Sequence, residues 1–311
     1  MRRIDNNNVD IKESEIIAFS CVRNEILRLP YFIEYHRELG VDRFIFIDNG
    51  STDGTTDFLL AQNDSNVFYT EESYAGSNCG VDWINELLSD FGHNHWVLTL
   101  DSDELLIYPM CESINLQLLT KFLDMTNDQA IVTFMLDMYS ETPIKDTSYT
   151  SGSSFVNTCE YFDSDSYHEV GNDNIPIRGG PRHRLFWHDH NRKKPSPVLK
   201  KIPLVKWRHD LHYAASTHVI ENVRLATLTG IVQHFKLFSD FFISAKNETE
   251  RKEHWDNAAQ YESYWDILRK NPDLSAFYNG SIKYSDSMQL VRLGMMKLPS
   301  NFITFASNHI E

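Results

Sequence analysis

The segment HWVLTLDSDE, residues 95–104, joins a strongly apolar run to a group of carboxylates. The apolar half is typical of a buried strand in a parallel sheet. Side chains alternate along an extended backbone, so Asp101 and Asp103 are predicted to face the same side and to bind one cation. Carboxylate oxygens suit Mg²⁺ or Mn²⁺, which often bridge a protein to the phosphates of a nucleotide. The segment therefore predicts a metal site at a strand end, and a solvated strand-end turn is the alternative.

Predicted strands and helices alternate on both sides of this segment. Short apolar runs predict strands, and apolar residues at helical spacing predict helices. The predicted strands are residues 16–22, 44–48, 66–70, 95–101 and 130–138, and the predicted helices are residues 27–39, a helix from about 56, and 81–91. Gly40 stands where the first helix should stop. This alternation predicts an α/β fold with a doubly wound, largely parallel sheet.

The chain is predicted to form one main domain with additions at both ends. Residues 1–13 are polar, which predicts a disordered or loosely packed N-terminal segment. Residues 14–238 hold the alternating pattern of the main domain. Residues 140–180 are rich in Ser, Asp, Gly and Asn and predict loops. Residues 239–311 predict a helical extension packed on the main domain.

Polar residues follow three of the predicted strands. In open α/β sheets ligands bind beyond the carboxyl ends of the strands, so these residues should converge on one ligand. They are Arg23, Asn24 and Glu25, then Asp48 and Asn49, then Asp101, Ser102 and Asp103. Asp48 and Asn49 are predicted to bind a base or ribose. Asp53 either joins them or caps the helix that follows.

The overall charge limits the partners of the chain. A net charge of −15 over 311 residues argues against general nucleic-acid binding. Residues 192–208 carry seven Lys and Arg residues, which predicts a solvated loop, or an anion site for a diphosphate or a lipid-linked phosphate acceptor. The same stretch could contact a membrane surface. The four cysteines show no paired spacing, and no apolar run is long enough to span a bilayer. We expect a cytoplasmic location.

Seven segments together resemble the family 2 type of glycosyltransferases, more narrowly the bacterial subgroup with an Asp-X-Asp-Glu signature. They are SEIIAFSCVRNE (14–25), DRFIFIDNGSTDGTTDFL (42–59), HNHWVLTLDSDELLIY (93–108), GGPRHRLF (179–186), LKKIPLVKW (199–207), STHVI (216–220) and VQHFK (232–236). The resemblance covers residues 14 to about 295. It implies the GT-A fold, with a mixed sheet, a divalent cation, and inversion at the anomeric carbon.

The resemblance also implies roles for single residues. Asp101 and Asp103 would engage Mn²⁺ or Mg²⁺ and a nucleoside-diphosphate sugar, with UDP favoured, and Asp48 would contact the nucleoside. His234 would complete the metal shell, although a buried core histidine is the alternative. The implied acceptor is a glycan or a lipid-linked molecule of cell-surface polysaccharide or lipopolysaccharide synthesis.

The general base of such a transfer is not marked by a motif. An inverting reaction needs a carboxylate or histidine beside the acceptor hydroxyl. The candidates are His218 and Asp189, followed by Glu169 and Asp210, because the Glu-Asp pair of better-known family members is missing. Arg182 and Arg184 would clamp the diphosphate or form surface salt bridges.

Two other functions stay open. A nucleotidyltransferase would also use a parallel sheet, carboxylates and Mg²⁺, but such enzymes usually have a glycine-rich loop after the first strand, where this chain has Arg23 to Ile26. A non-catalytic protein that binds sugar nucleotides is the other alternative, since fold alone proves no activity.

Overall fold

The computed structural model describes residues 1–8, 10–169, 177–187, 195–214 and 216–310. The strands are β1 (Arg2–Arg3), β2 (Ile16–Val22), β3 (Arg43–Asp48), β4 (Ser65–Tyr69), β5 (Trp96–Thr99), β6 (Glu104–Ile107), β7 (Ala130–Asp137), β8 (Tyr161–Asp163), β9 (Tyr167–Glu169), β10 (Ile177–Gly179), β11 (Lys200–Lys206), β12 (Gly230–His234) and β13 (Ser281–Lys283). The α-helices are α1 (Leu29–Leu39), α2 (Thr55–Leu60), α3 (Val81–Phe91), α4 (Leu116–Thr126), α5 (Phe155–Thr158), α6 (Gly180–Phe186), α7 (Phe241–Arg251), α8 (Trp255–Lys270), α9 (Ser287–Arg292) and α10 (Ser300–Ser307).

The central sheet has nine strands in the order β1-β4-β3-β2-β5-β11-β7-β12-β6. Strands β4, β3, β2 and β5 are parallel, which confirms the parallel half predicted from the sequence. Beyond β5 the sheet is mixed: β11 runs antiparallel to both of its neighbours, β12 is parallel to β7, and β6 is antiparallel to β12. The α/β class is therefore confirmed, with a parallel part and a mixed part in one sheet.

Helices cover both faces of this sheet. On one face Phe32 of α1, Leu119 of α4 and Phe302 of α10 belong to one buried apolar cluster. On the other face Trp83 and Leu87 of α3 pack in a second cluster with residues of β2, β3 and β5. Two covered faces explain why the strands of the parallel half are apolar on both sides.

The basic stretch of the sequence contains a central strand. Residues 192–194 lie outside the described residues, but Lys200–Lys206 form β11 between β5 and β7. Pro203 has no backbone N–H to donate to a neighbouring strand. The register on β7 shifts between Lys201 and Leu204, so that an advance of three residues along β11 matches two residues along β7. The expectation of a solvated loop is therefore wrong for residues 200–206.

The ends of the chain are tied to the sheet. The sequence predicts a loose lead over residues 1–13, whereas Arg2–Arg3 pair with Phe68 and Tyr69 at the sheet edge, and Asp5 accepts a bond from the Val67 N–H at 2.7 Å. At the other end, residues 239–310 are mostly helical, and Phe302 of α10 packs in a buried cluster with residues of the central sheet. Strand β13 pairs with β8 in a separate two-stranded sheet. None of the helices in the described ranges is long and apolar enough to cross a membrane.

Candidate functional site

The carboxylates of residues 101–104 lie on a turn. The Glu104 N–H donates to the Asp101 carbonyl at 3.1 Å, and the Asp101 N–H donates to Oε2 of Glu104 at 2.8 Å. The side chain of Asp101 is 63% exposed and that of Asp103 is 16% exposed. The two aspartates therefore do not share one side of an extended strand, and the predicted reason for their convergence is wrong.

His234 joins two aspartates that come from different parts of the chain. It ends β12, where it lies opposite Glu104 of β6 and Asp137 of β7. Its Nδ1 contacts Oδ1 of Asp137 at 2.6 Å, and its Nε2 is 3.3 Å from Oδ2 of Asp103. The strand pairing thus brings His234 to Asp103, as the sequence predicts, and adds Asp137.

The charges of this group support one another. Burial opposes the charge of Asp103, but His234 and Lys236 outweigh it and hold the pKa of the carboxyl well below its usual range. Burial also opposes the His234 cation, yet the Asp103 carboxylate raises the pKa of the imidazole. For Asp137, Arg182 outweighs burial and lowers the pKa of the carboxyl. The group therefore favours a protonated histidine between two carboxylates.

A buried lysine neutralises the other side of the turn. Nζ of Lys201, fully buried in β11, bonds tightly to Oε2 of Glu104, which is also buried. The same Nζ is 3.6 Å from Oδ2 of Asp101. Burial opposes the Lys201 charge, but Asp101 and Glu104 raise the pKa of the ammonium. Lys201 is therefore a permanent cation beside the predicted metal ligands.

Two further cations, Lys236 and Arg28, lie near the acidic turn. Nζ of Lys236 is 4.0 Å from Oδ2 of Asp103. Arg28 contacts Glu25 at 3.4 Å and Asp240 at 2.8 Å. Burial raises the pKa of Glu25 to about 7, although Arg28 and the bond from the Ser102 hydroxyl act in the opposite direction. Glu25 and Ser102, two predicted site residues, are thus brought together.

Asp103 and His234 fit part of a metal site. No group of three or more His, Cys, Asp and Glu side chains in the described ranges is arranged to hold an ion. The 3.3 Å between Oδ2 and Nε2 is nonetheless close to the roughly 3 Å that separates neighbouring ligands about 2.1 Å from an octahedral ion. The contact of Nδ1 with Asp137 is the kind that orients a metal-binding histidine. Asp101 fits only after its exposed side chain rotates away from Lys201.

The carboxylates that follow β3 are bonded within their own loop. Asp48 is buried, with Oδ1 accepting from the Ser51 N–H at 2.9 Å and Oδ2 from the Thr56 hydroxyl. Asp53 accepts from the N–H groups of Thr55 and Ile26, at 3.0 and 3.3 Å. Both aspartates thus shape the loop, and their contact with a nucleoside stays a prediction.

The first two strand-end loops are bound to each other. Arg23 donates to the Asn49 carbonyl, and Oδ1 of Asn24 accepts from the Thr52 N–H at 2.7 Å. The Asn49 side chain donates to the carbonyls of Thr70 and Glu72, at 3.3 and 3.0 Å. The loops therefore converge, as predicted, through contacts among themselves.

The two arginines of the predicted clamp are already paired. Arg182 is buried, and its Nε donates to Oδ2 of Asp137 at 2.7 Å. Arg184 binds Asp163 and the Ala276 carbonyl, and its guanidinium lies 4.2 Å from the ring centroid of Tyr278. Arg182 therefore borders the His234 group, whereas Arg184 links the domain to the C-terminal residues.

The structure describes two of the four general-base candidates in full, His218 and Asp210. Nδ1 of His218 donates to the Lys200 carbonyl at 2.7 Å, and burial together with the nearby Lys201 lowers the pKa of the ring to about 4. Asp210 is exposed and paired with Arg208 at 3.0 Å. Asp189 and the side chain of Glu169 lie outside the described residues. His218 is thus a neutral imidazole near the acidic turn, and a weak base.

Several contributors to this site were missed by the sequence predictions, among them Asp137, Lys201 and Lys236. Asp137 follows an apolar strand in the same way as Asp48 and Asp101, so its position was a usable signal. Lys201 stands inside an apolar strand, where an unpaired lysine is rarely tolerated. Lys236 lies two residues after His234 and carries no signal of its own.

Comparison with known proteins finds distant structural matches only. No family model and no curated protein matches the chain. A 4-diphosphocytidyl-2C-methyl-D-erythritol synthase is 11% identical over 42% of this chain and 65% of its own, with a TM-score of 0.27. A Bacillus anthracis protein, provisionally assigned as a glucose-1-phosphate thymidylyltransferase and solved with sucrose, is 12% identical over 93% of this chain and 99% of its own, with a TM-score of 0.32. A UDP-glucose pyrophosphorylase of Acinetobacter baumanii is 8% identical over 82% of this chain and 99% of its own, with a TM-score of 0.35.

The predicted glycosyltransferase is contradicted by these matches. None of the three is named as a glycosyltransferase. Glycosyl transfer is therefore not retained. Likeness at these TM-scores identifies neither a residue nor a reaction in this chain, and one fold supports many activities. The activity has to be inferred from the side chains of the site.

Proposed function

We propose that this chain is an enzyme that transfers a nucleotidyl group between pyrophosphate and a sugar phosphate. The observation that supports the proposal is the set of buried or half-buried cations around the acidic turn: Lys201, Lys236, Arg28 and Arg182. Neighbouring groups raise the pKa of each cation above its ordinary value, although burial opposes this. Carboxylates lead this effect for Lys201, Arg28 and Arg182. For Lys236, Tyr261 leads it and Asp103 follows. Cations that cannot lose their charge suit a substrate with several phosphates.

In this reaction a phosphate oxygen of the sugar phosphate attacks the α-phosphorus of a nucleoside triphosphate. The bond between the α-phosphorus and the bridging oxygen breaks, and pyrophosphate leaves. A phosphate monoester has its second pKa near about 6, so the attacking oxygen is already anionic at neutral pH. The reaction therefore needs no strong general base, which agrees with the weakly basic His218.

Asp103 and His234 would hold a divalent cation, and Asp101 would join them after rotation. The ion would neutralise the phosphate charge that develops during transfer. Lys201 neutralises the buried Glu104 carboxylate. The carboxylates of Asp101 and Asp103 would therefore supply the negative charge that binds the cation. The nucleoside would lie beside the ends of β2 and β3, near Arg23 and Asn49.

The loop after β2 lacks the glycine-rich sequence usual in nucleotidyltransferases. Asn24 takes a left-handed conformation with φ of 56°, and the loop N–H groups of Asn24 and Glu25 bind Ser51 and Thr55. Because these N–H groups are occupied, the phosphates would be held by side-chain cations. A nucleotide-diphospho-sugar transferase type of fold, with residues 239–311 as an extension, is part of this proposal.

The test is pyrophosphorolysis of a panel of UDP-, dTDP-, GDP-, CDP- and ADP-sugars with labelled pyrophosphate and Mg²⁺ or Mn²⁺. We expect labelled nucleoside triphosphate from one member of the panel. Asp103→Asn should reduce its formation by about 10²-fold or more, the usual effect of losing one strong electrostatic contact in a site.

Asp90→Asn is the matched control, since it removes the same charge from an exposed position on α3. It should leave the rate within about twofold, as expected of a surface substitution. Metal-dependent binding of a sugar nucleotide without any triphosphate product would overturn the proposal. It would favour the non-catalytic alternative.

A further inference from the structure

Three buried hydrogen-bonding groups lack partners of normal geometry in the part of the chain that the structure describes, and two of them, on Arg182 and Tyr264, lie close enough to Lys236 to influence its charge. Among the described residues, no hydrogen bond of normal geometry is made by Nη2 of Arg182, Nε1 of Trp187 or the hydroxyl of Tyr264. These side chains are buried, with exposures of 5%, 6% and 1%. A buried polar group without a partner costs on the order of 1–3 kcal/mol, so three in one place require an explanation.

The three groups lie in one layer between α6 and α8. The ring centroids of Trp187 and Tyr264 are 5.2 Å apart. The Tyr264 hydroxyl lies close enough to the Arg182 guanidinium to favour its charge as a hydrogen-bonding neighbour, although the two make no hydrogen bond of normal geometry. Nε of Arg182 is fixed by Asp137, and its outer Nη2 makes no hydrogen bond of normal geometry within the described residues. The layer is therefore rich in donors, and its one carboxylate is already bonded.

Lys236 forms the exposed end of this layer. Its side chain is 20% exposed, and its Nζ is 5.4 Å from the ring centroid of Tyr261. The same Nζ is 4.0 Å from Asp103. A ligand at Lys236 would thus touch the predicted metal ligand on one side and the donor layer on the other.

We propose that Lys236, Tyr261, Tyr264 and Arg182 form a binding site for a phosphate group. A tetrahedral dianion accepts several hydrogen bonds at once, and both an ammonium and a guanidinium favour it. We assign this phosphate to the sugar-phosphate substrate. Its attacking oxygen would then lie next to the predicted metal ligands Asp103 and His234. This assignment of the substrate rests on the proposed function, whereas the binding of phosphate does not.

The experiment is calorimetric titration of the full chain with inorganic phosphate and with glucose 1-phosphate. Lys236→Met should weaken both by about 30-fold or more, and Tyr264→Phe by about tenfold, as expected for a charged donor and for one hydrogen bond to a charged group. Lys246→Met, an exposed lysine on α7, should change neither by more than about twofold.

Tyr264→Phe also separates binding from folding. Because the hydroxyl has no partner of normal geometry within the described chain, its removal should leave the Tm unchanged or raise it. A fall of several degrees would mean that the hydroxyl is bonded in the folded protein, and the inference would fail. The inference would also fail if the wild type bound no phosphate, or if all variants bound it equally.

The outcomes distinguish this inference from the proposed function. Phosphate that binds and depends on Lys236, without any nucleoside triphosphate formed, would leave the anion site standing and overturn nucleotidyl transfer. Triphosphate formation with phosphate affinity unchanged in Lys236→Met would keep the transfer and overturn this site.

Discussion

Two strand ends of the same sheet carry aspartates that are neutralised in different ways. Asp48, at the end of β3, bonds to the Ser51 N–H and the Thr56 hydroxyl within its own loop. Asp103, in the turn after β5, meets His234 and Lys236, which come from the end of β12. The first carboxylate is satisfied by uncharged neighbours, and the second by cations from another part of the chain.

The difference separates a loop-building role from a ligand-binding role. A carboxylate bonded to nearby N–H and hydroxyl groups fixes a turn and has few lone pairs left for a ligand. The charge of a carboxylate that pairs with cations from distant segments is balanced by those cations, and a bound metal ion or phosphate can change that balance. The acidic turn is therefore the better candidate for chemistry, although both loops end strands of one sheet.

The largest effect is expected from breaking the buried pair behind the acidic turn. Lys201→Met leaves Glu104 buried without its partner, and removing one member of a buried pair costs about 3–5 kcal/mol of unfolding free energy. The double variant Lys201→Met/Glu104→Gln should recover part of this loss, because no charge then remains buried. Urea denaturation measures both.

Lys206→Met is the matched control, since Lys206 lies on the same strand but pairs with the half-exposed Asp124. It should cost less than about 1 kcal/mol, as surface pairs do. Equal losses for Lys201→Met and Lys206→Met would contradict the view that the acidic turn rests on a buried charge.

A smaller effect is expected at the end of β3. Asp48→Asn weakens the acceptors of two hydrogen bonds and should cost about 1–2 kcal/mol of unfolding free energy. If the role of Asp48 is to shape the loop, the affinity for nucleotide with Mg²⁺ should stay within about threefold of wild type. Calorimetry on the same variant decides this. A loss of affinity of about tenfold or more would support the nucleoside contact predicted from the sequence.

Local patterns predicted much of the fold. Strand 16–22 and helix 81–91 have the bounds expected from the sequence, because each shows an unbroken apolar or amphipathic pattern. Helix α1 ends at Leu39, and Gly40 takes φ of 112°, a left-handed conformation that glycine adopts readily. These features depend on neighbours in the sequence.

The second half of the sheet could not be predicted in this way. The positions of β11, β12 and β6 depend on pairing between distant segments, and Pro203 argued against a central strand. The turn at Asp101 was mistaken for extended backbone for a related reason, since the bond from Glu104 that closes it is not visible in the alternation of residues. The partners of His234 follow from the same distant pairing.

The smallest effect is a pH dependence that should appear only at the acidic turn. His234 faces Asp103, Asp137 and Arg182; burial opposes its charge, and Asp103 leads the interactions that raise the pKa of the ring above 6.5. A raised pKa in the folded state means that the stabilisation is complete below pH 6.5 and is lost as the pH rises through the folded value. In chelator, the free energy of unfolding should therefore fall as the pH rises above about 6.5.

His234→Asn should remove the part of this slope that lies above the Glu25 pKa of about 7, because asparagine keeps a donor without a titrating charge. His36 is the matched control: burial lowers the pKa of its ring to about 4, so it is neutral throughout this range, and His36→Asn should keep the slope. Asp48→Asn should keep it as well, since the Asp48 bonds lie in another loop. If this part of the slope survived in His234→Asn, the titrating group would lie elsewhere. The two strand ends would then not differ in the way described above.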